Sequence, residues 1–387
     1  MRPAYEMQKQ MGCVFGLNCG WEHPLWFADE PGTVDTNGFT RQNWFEPVGE
    51  ECRMLRENAG IIDISNFDKY RCKGAGAEDW LNAVFANKMP SVVGRSCLTP
   101  LIGVRGGIAG DATVTKLAED EFWIISSGMA ERYQKRFYDA VPLPAGTTFE
   151  SMTDEMCGFN VAGPKSRELL QHMSNTSFDT EDFAFMRSKR VEIAGVDCIA
   201  LRVSFTGDLG WELHCKSEDQ LRLFAALLEV GRDFGAGPVG SRALMSLRVE
   251  KGYGSWSREY SPEYWPQEVG LERLCNVDKE FLNKAACVEA MRKVPRERLV
   301  LMVLDEADVS ASNADATGGE PIFKDGVGIG RVTSGAYGYT VGMSLALGFV
   351  KDAVAGDDVE VMVLGRPHKA RILPEPPFDP KGAKLRA

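Results

Sequence analysis

The run from Cys198 to Cys215 leaves the backbone little choice. Cys198–Val203 (CIALRV) is an apolar stretch that reads as a buried strand. Trp211-Glu212-Leu213-His214-Cys215 alternates, so that Trp211, Leu213 and Cys215 share one strand face. Between the two runs lie Gly207 and Gly210, with Thr206 and Asp208 beside them. That composition suits a tight turn whose backbone leaves the usual dihedral regions. Glu212 then stands on the opposite face, just past the turn. Two readings of it stay open: a solvated glutamate on a hairpin, or a carboxylate gripping a flat ring that offers two parallel N–H donors.

The rest of the composition narrows the classes. A chain of 387 residues exceeds one compact core and predicts two or three domains. A net charge of −11 argues against a nucleic-acid binder, which carries a basic excess. The N-terminus has neither a long apolar run nor a small-residue cleavage site, so no signal peptide is expected. No stretch approaches the roughly 20 apolar residues that span a bilayer. The ten cysteines include no CxxC pair, and the closest two, Cys13 and Cys19, lack zinc spacing. Reduced, buried thiols are expected, with the cytoplasm as the compartment. His23, His172, His214 and His368 never fall at ligand spacing, so no metal site is expected. Neither a nucleophile elbow nor a nucleotide loop appears, and nothing supplies a flavin or nicotinamide domain.

Along the chain, residues 1–45 form an aromatic N-terminal arm in which Trp21–Phe27 is expected to be irregular. Val48–Gly60 has helical spacing with Gly60 as a C-cap, and Gly76–Phe85 is a second amphipathic helix. Strands are expected at Ile61–Ser65, Tyr70–Cys72, Asp111–Leu117 and Phe122–Ile125, then helices at Met129–Ala140, Leu221–Val230 and Arg242–Glu250. Residues 251–285 are aromatic and irregular. From Leu299 onward, strands alternate with glycine turns, which suits an antiparallel barrel. The expected division is 1–45, 46–290 with two interleaved α+β domains, and 296–380 for the barrel. The end, PEPPFDPKG, reads as a tail strapped over the surface.

Beyond the central turn, Glu57–Ser65, Gly106-Gly107-Ile108-Ala109-Gly110-Asp111, Val161–Pro164, Ser241–Glu250, Val269–Leu271 and Gly330–Gly335 fall in one order. Together they resemble the glycine-cleavage T-protein superfamily, whose signature turn ends in a glutamate that holds the pterin ring of tetrahydrofolate; Glu212 matches it. Trp21–Phe27 and Arg242–Tyr253 are similar to the folate-binding C-terminal half of dimethylglycine and sarcosine dehydrogenases. The resemblance implies an α+β fold, a three-domain ring around a central folate channel with a C-terminal antiparallel β-barrel. It implies tetrahydrofolate as cofactor, Asp111 beside the reactive N5 of the folate, and Glu212, Arg242, Phe205, Trp211 and Tyr253 as cofactor-binding residues. Arg248 is expected to buttress its helix, and Trp256 to line the channel.

Two departures bear on the chemistry. T-proteins proper carry two adjacent acids in the glycine turn, whereas the first is Gly110 here, and Phe205 replaces the family's tyrosine. With no flavin domain, two routes are open. An intact methyl can pass to N5 from a small methylated substrate, or a separate flavoprotein subunit can deliver a methylene unit. A non-catalytic folate-binding protein is the further alternative.

Overall fold

The structure, a computed structural model, describes residues 2–18 and 20–387, and of Asn18 only the backbone. Three bodies make up the chain. The first is built on a six-stranded sheet ordered Ser188–Ile193, Val196–Leu201, Gly210–Lys216, Met156–Ala162, Gly60–Asp63 and Gly237–Val239. Its pairs are antiparallel except the last, which is parallel. Between Gly60–Asp63 and Met156–Ala162 the chain leaves to make the second body. That body is a five-stranded sheet ordered Ser96–Ile102, Ile108–Ala118, Glu121–Ser126, Asp68–Lys73 and Thr148–Ser151. The third is a closed antiparallel barrel of six strands from Arg298–Leu304 to Arg366–Ile372.

Alternation explains the cores. Trp211, Leu213 and Cys215 turn one way, onto Phe159, Val161 and the face Leu223, Phe224 and Leu227 of helix Gln220–Gly231. In the second sheet Phe122 and Ile124 face helix Ala77–Val84, while Trp123 and Ile125 face the first sheet. There they meet Ile199 and Leu201, so an apolar seam joins the two sheets. The barrel touches both bodies: Phe349 stacks on Tyr264 beside Ile102 and Ile108, and Tyr337 accepts a hydrogen bond from Ser246 at 2.7 Å. Each body contacts the other two, which closes the ring. The tail crosses from the barrel to the first body, where Phe378 N–H donates to the Glu250 carbonyl and Arg167 donates to the Ala387 carbonyl.

Two expectations change. Trp21–Phe27 is a strand, paired antiparallel with Cys13–Asn18 in a two-stranded sheet with a bulge at Val14/Phe15. Pro24 is accommodated because its strand has only one partner. Gly60 caps no helix: helix Phe45–Glu57 ends earlier, and Gly60 opens a strand where an added Cβ would lie 2.7 Å from Val239. Helix Lys284–Met291 follows the irregular stretch 251–285, overlapping it only at its last two residues. The nine cysteines among the described residues are free thiols, eight of them buried; Cys19 lies outside those residues. No helix of the described residues is long and apolar enough to cross a membrane.

Candidate active site

The turn before Glu212 is held from beneath by a buried cation. Gly207 has φ +89°, and Gly207 N–H donates to Ser204 Oγ at 3.0 Å. Arg56, on helix Phe45–Glu57, donates to the Thr206 carbonyl at 2.8 Å and pairs with Asp208. A second guanidinium nitrogen pairs with Glu250 at 2.8 Å. With its underside tied, the turn presents Phe205, half-buried, whose ring lies nearly parallel to Tyr253 (14°) with centroids 6.4 Å apart.

Glu212 follows on the face opposite Trp211, its side chain 13% exposed. One oxygen, Oε2, lies 3.3 Å from Nε2 of His214, two residues on and on the same face. Burial lowers the His214 pKa, against the opposing pull of Glu212. Trp211, expected at the cofactor, is instead fully buried edge-on against Phe178 and Phe183. The alternation that turns Glu212 toward the second sheet sends Trp211 into the core on the other side, so its part is to hold the strand.

Asp111 stands on Ile108–Ala118, opposite Pro100. The turn leading to it is crowded: a Cβ on Gly107 would fall 2.2 Å from the Pro262 carbonyl, and one on Gly110 2.3 Å from Gln134 Nε2. The amide of Gln134 therefore fills the space that a second acid at position 110 would need. Asp111 is half-buried, its Oδ1 has no hydrogen-bond partner, and burial pushes its carboxyl up to about 6 against its own backbone N–H. Close by is Tyr260, whose phenol is pushed up by burial first and then by the Asp111 charge. Sequence reading passed over Tyr260, one of several aromatic residues in an irregular segment.

Arg242, near the start of helix Ser241–Glu250, pairs with Asp35 at 2.5 Å and lies 4.6 Å over the Trp44 ring. It remains 28% exposed, and its Nε has no partner. Arg248 is wholly internal, bonded to Glu259, Ser334 and the Tyr253 carbonyl, and so buttresses the segment that carries Tyr253. Trp256 packs against Tyr133. Phe205 and Tyr253 are thus brought together, whereas no hydrogen bond or ion pair among the described residues joins Asp111, Glu212 and Arg242 to one another. Two carboxylates, Asp111 and Glu212, and one guanidinium, Arg242, stand at separate places in the fold.

Comparison with known proteins bears on these residues. The family model described as the GCVT N-terminal domain matches residues 4–279, and that of the glycine cleavage T-protein C-terminal barrel domain matches residues 298–379. Mitochondrial dimethylglycine dehydrogenase of Mus musculus is 34% identical over 372 residues, 94% of this chain and 42% of that protein. The chain therefore spans less than half the length of that relative. Aminomethyltransferase of Thermoanaerobacter sp. (strain X514) is 26% identical over 345 residues, 88% of this chain and 92% of that protein. The crystal structure of glycine cleavage system aminomethyltransferase T from Bartonella henselae has the same fold, with a TM-score of 0.84 over 98% of both chains at 22% identity.

Proposed function

The chain belongs to the glycine cleavage T-protein family, and from that membership we propose a tetrahydrofolate-dependent transferase that acts as a demethylase. It moves a methyl group from a small methylated metabolite (an N-, S- or O-methyl donor) to N5 of tetrahydrofolate. The family's cofactor is tetrahydrofolate, and the residues present fit it. Glu212 is partly open beside its bond to His214, Asp111 Oδ1 is unpartnered, and Arg242 Nε is free. When bound, the cofactor supplies the nitrogen nucleophile. Glu212 would accept the paired N–H donors of the ring. Arg242 would face the anionic tail, with Phe205 and Tyr253 as apolar walls.

Asp111 carries the reading. A nitrogen that gains a methyl group must lose a proton, and a base works best when its pKa lies near the working pH. A carboxyl at about 6 with one oxygen unengaged meets both conditions. Aligning donor carbon and acceptor nitrogen supplies the remaining advantage, by removing entropy from the encounter. The free thiols agree with the cytoplasm as the compartment of this reaction.

Similarity to dimethylglycine dehydrogenase supports a second reading, in which a separate flavoprotein subunit delivers a methylene unit to the same folate site. Mass spectrometry of the folate after incubation with a panel of methyl donors separates the two. Methyl-tetrahydrofolate from the chain alone supports demethylation, while methylene-tetrahydrofolate formed only with a flavoprotein or formaldehyde supports the second. Folate binding with neither product would leave a non-catalytic binder and sink both.

A further inference from the structure

His214 is a large polar ring with no solvent exposure, in a place built to receive it. Across the first sheet it pairs with Gly158 on one side and Ile199 on the other. A Cβ on Gly158 would lie 2.9 Å from His214 Nδ1, so glycine at 158 makes the room the imidazole occupies. From the second sheet, Trp123 closes over it with ring centroids 6.1 Å apart at 60°. Three neighbours on two sheets thus fix the ring plane. Within that frame Nδ1 has no partner, and Nε2 points at Glu212 Oε2, 3.3 Å away.

We propose that His214 is the positioning residue of the folate anchor: its Nε2–H holds one Glu212 oxygen so that the carboxylate meets the ligand in a single orientation. A carboxylate only accepts hydrogen bonds, so the imidazole must donate, which places its proton on Nε2 and leaves Nδ1 bare. Burial keeps the ring neutral and so preserves that assignment. Because Trp123 belongs to the second sheet, the anchor on the first sheet is also aligned to the body that carries Asp111. An unheld glutamate would lose side-chain freedom on each binding event, and a preoriented one has already lost it. The inference rests on Glu212 being the anchor, as proposed above.

The test uses the whole chain and tetrahydrofolate itself, with affinity and melting temperature measured for each variant. Glu212→Gln comes first: unchanged affinity would overturn the anchor reading and with it this inference. Given a weakened Glu212→Gln, His214→Phe removes the donor but keeps a buried ring, and its affinity is expected to fall about tenfold. His214→Gln and His214→Asn are both amides, but only glutamine is long enough to donate to Glu212. His214→Gln should therefore bind within about threefold of the parent, and His214→Asn about as poorly as His214→Phe. A purely structural role would instead make affinity follow melting temperature across all three. That pattern, or equal affinities for the Gln and Asn variants, would overturn the inference while leaving Glu212 as the anchor.

Discussion

Burial raises the Asp111 carboxyl from an ordinary 3.8 to about 6, and the same burial makes the charged form costly to the fold. The folded state holds this proton more tightly than the unfolded state does. The two states are therefore matched below about pH 3.8, and the native state loses ground as pH rises through 6. The full difference is about 3 kcal/mol, and solvent at this half-buried site trims it. Asp111→Asn, which cannot ionise, is expected to melt a few degrees above the parent at pH 8 and to converge with it near pH 3.5, by calorimetry at both pH values. Its turnover should fall by about a hundredfold or more, in the range of a lost general base. In the parent, the rate should drop about tenfold per pH unit below about 6. At this scale the sequence is informative where alternation rules. Trp211 and Glu212 separate onto opposite faces because neighbours on a strand must, and His214 shares the face of Glu212 for the same reason. What alternation leaves open is the depth of each face, so Trp211 reads equally well as a ligand wall and as core. The emptiness beside Gly158 that admits an imidazole arises only when two distant strands pair.

Among the elements, the N-terminal hairpin shows how one side chain docks a piece of chain that propensity reads as irregular. Glu51, buried on helix Phe45–Glu57, accepts Phe27 N–H at one oxygen and Gly240 N–H at the other, both at 2.7 Å. Phe27 ends strand Trp21–Phe27, and Gly240 is the N-cap of the helix that carries Arg242. Glu51 thus pins the hairpin, helix Phe45–Glu57 and helix Ser241–Glu250 together. Glu51→Gln keeps the volume but offers one acceptor, turning an amide N–H toward a backbone N–H. The expected loss is about 1–3 kcal/mol, the cost of one unmet buried donor, measured as a shift in urea midpoint at constant slope. Helices and barrel strands are legible where their periods run uninterrupted, as in Gln220–Gly231 and Met343–Val350. The hairpin was hidden by Pro24 and by its shortness, and the role of Glu51 by partners 24 and 189 residues away.

At the scale of the whole molecule, the decisive group is a single guanidinium. Arg56 is 3% exposed and touches the glycine turn through Asp208 and Thr206, helix Ser241–Glu250 through Glu250, the barrel through Thr340, and the tail through Phe378, whose ring lies 3.5 Å away. Glu250 reaches the barrel too, accepting Thr340 N–H at 2.8 Å. Two buried carboxylates thus depend on one cation at the place where the first body, the barrel and the tail meet. Nothing in the local pattern of helix Phe45–Glu57 announces this, because Asp208 and Glu250 arrive from 152 and 194 residues further along. Arg56→Met leaves both carboxylates buried without their paired cation, and the expected cost is about 3–5 kcal/mol, the range for breaking an internal pair. If the loss comes from stranded charge, neutralising the carboxylates as well should recover most of it, since an internal ion pair and its neutral isosteres differ little in stability. The triple variant Arg56→Met, Asp208→Asn, Glu250→Gln is therefore expected to unfold in urea closer to the parent than Arg56→Met alone. Its folate affinity should nevertheless stay weak, because the turn that presents Phe205 and leads into Glu212 would no longer be tied to the helix beneath it. Recovery of affinity along with stability would mean that the turn holds its shape without Arg56.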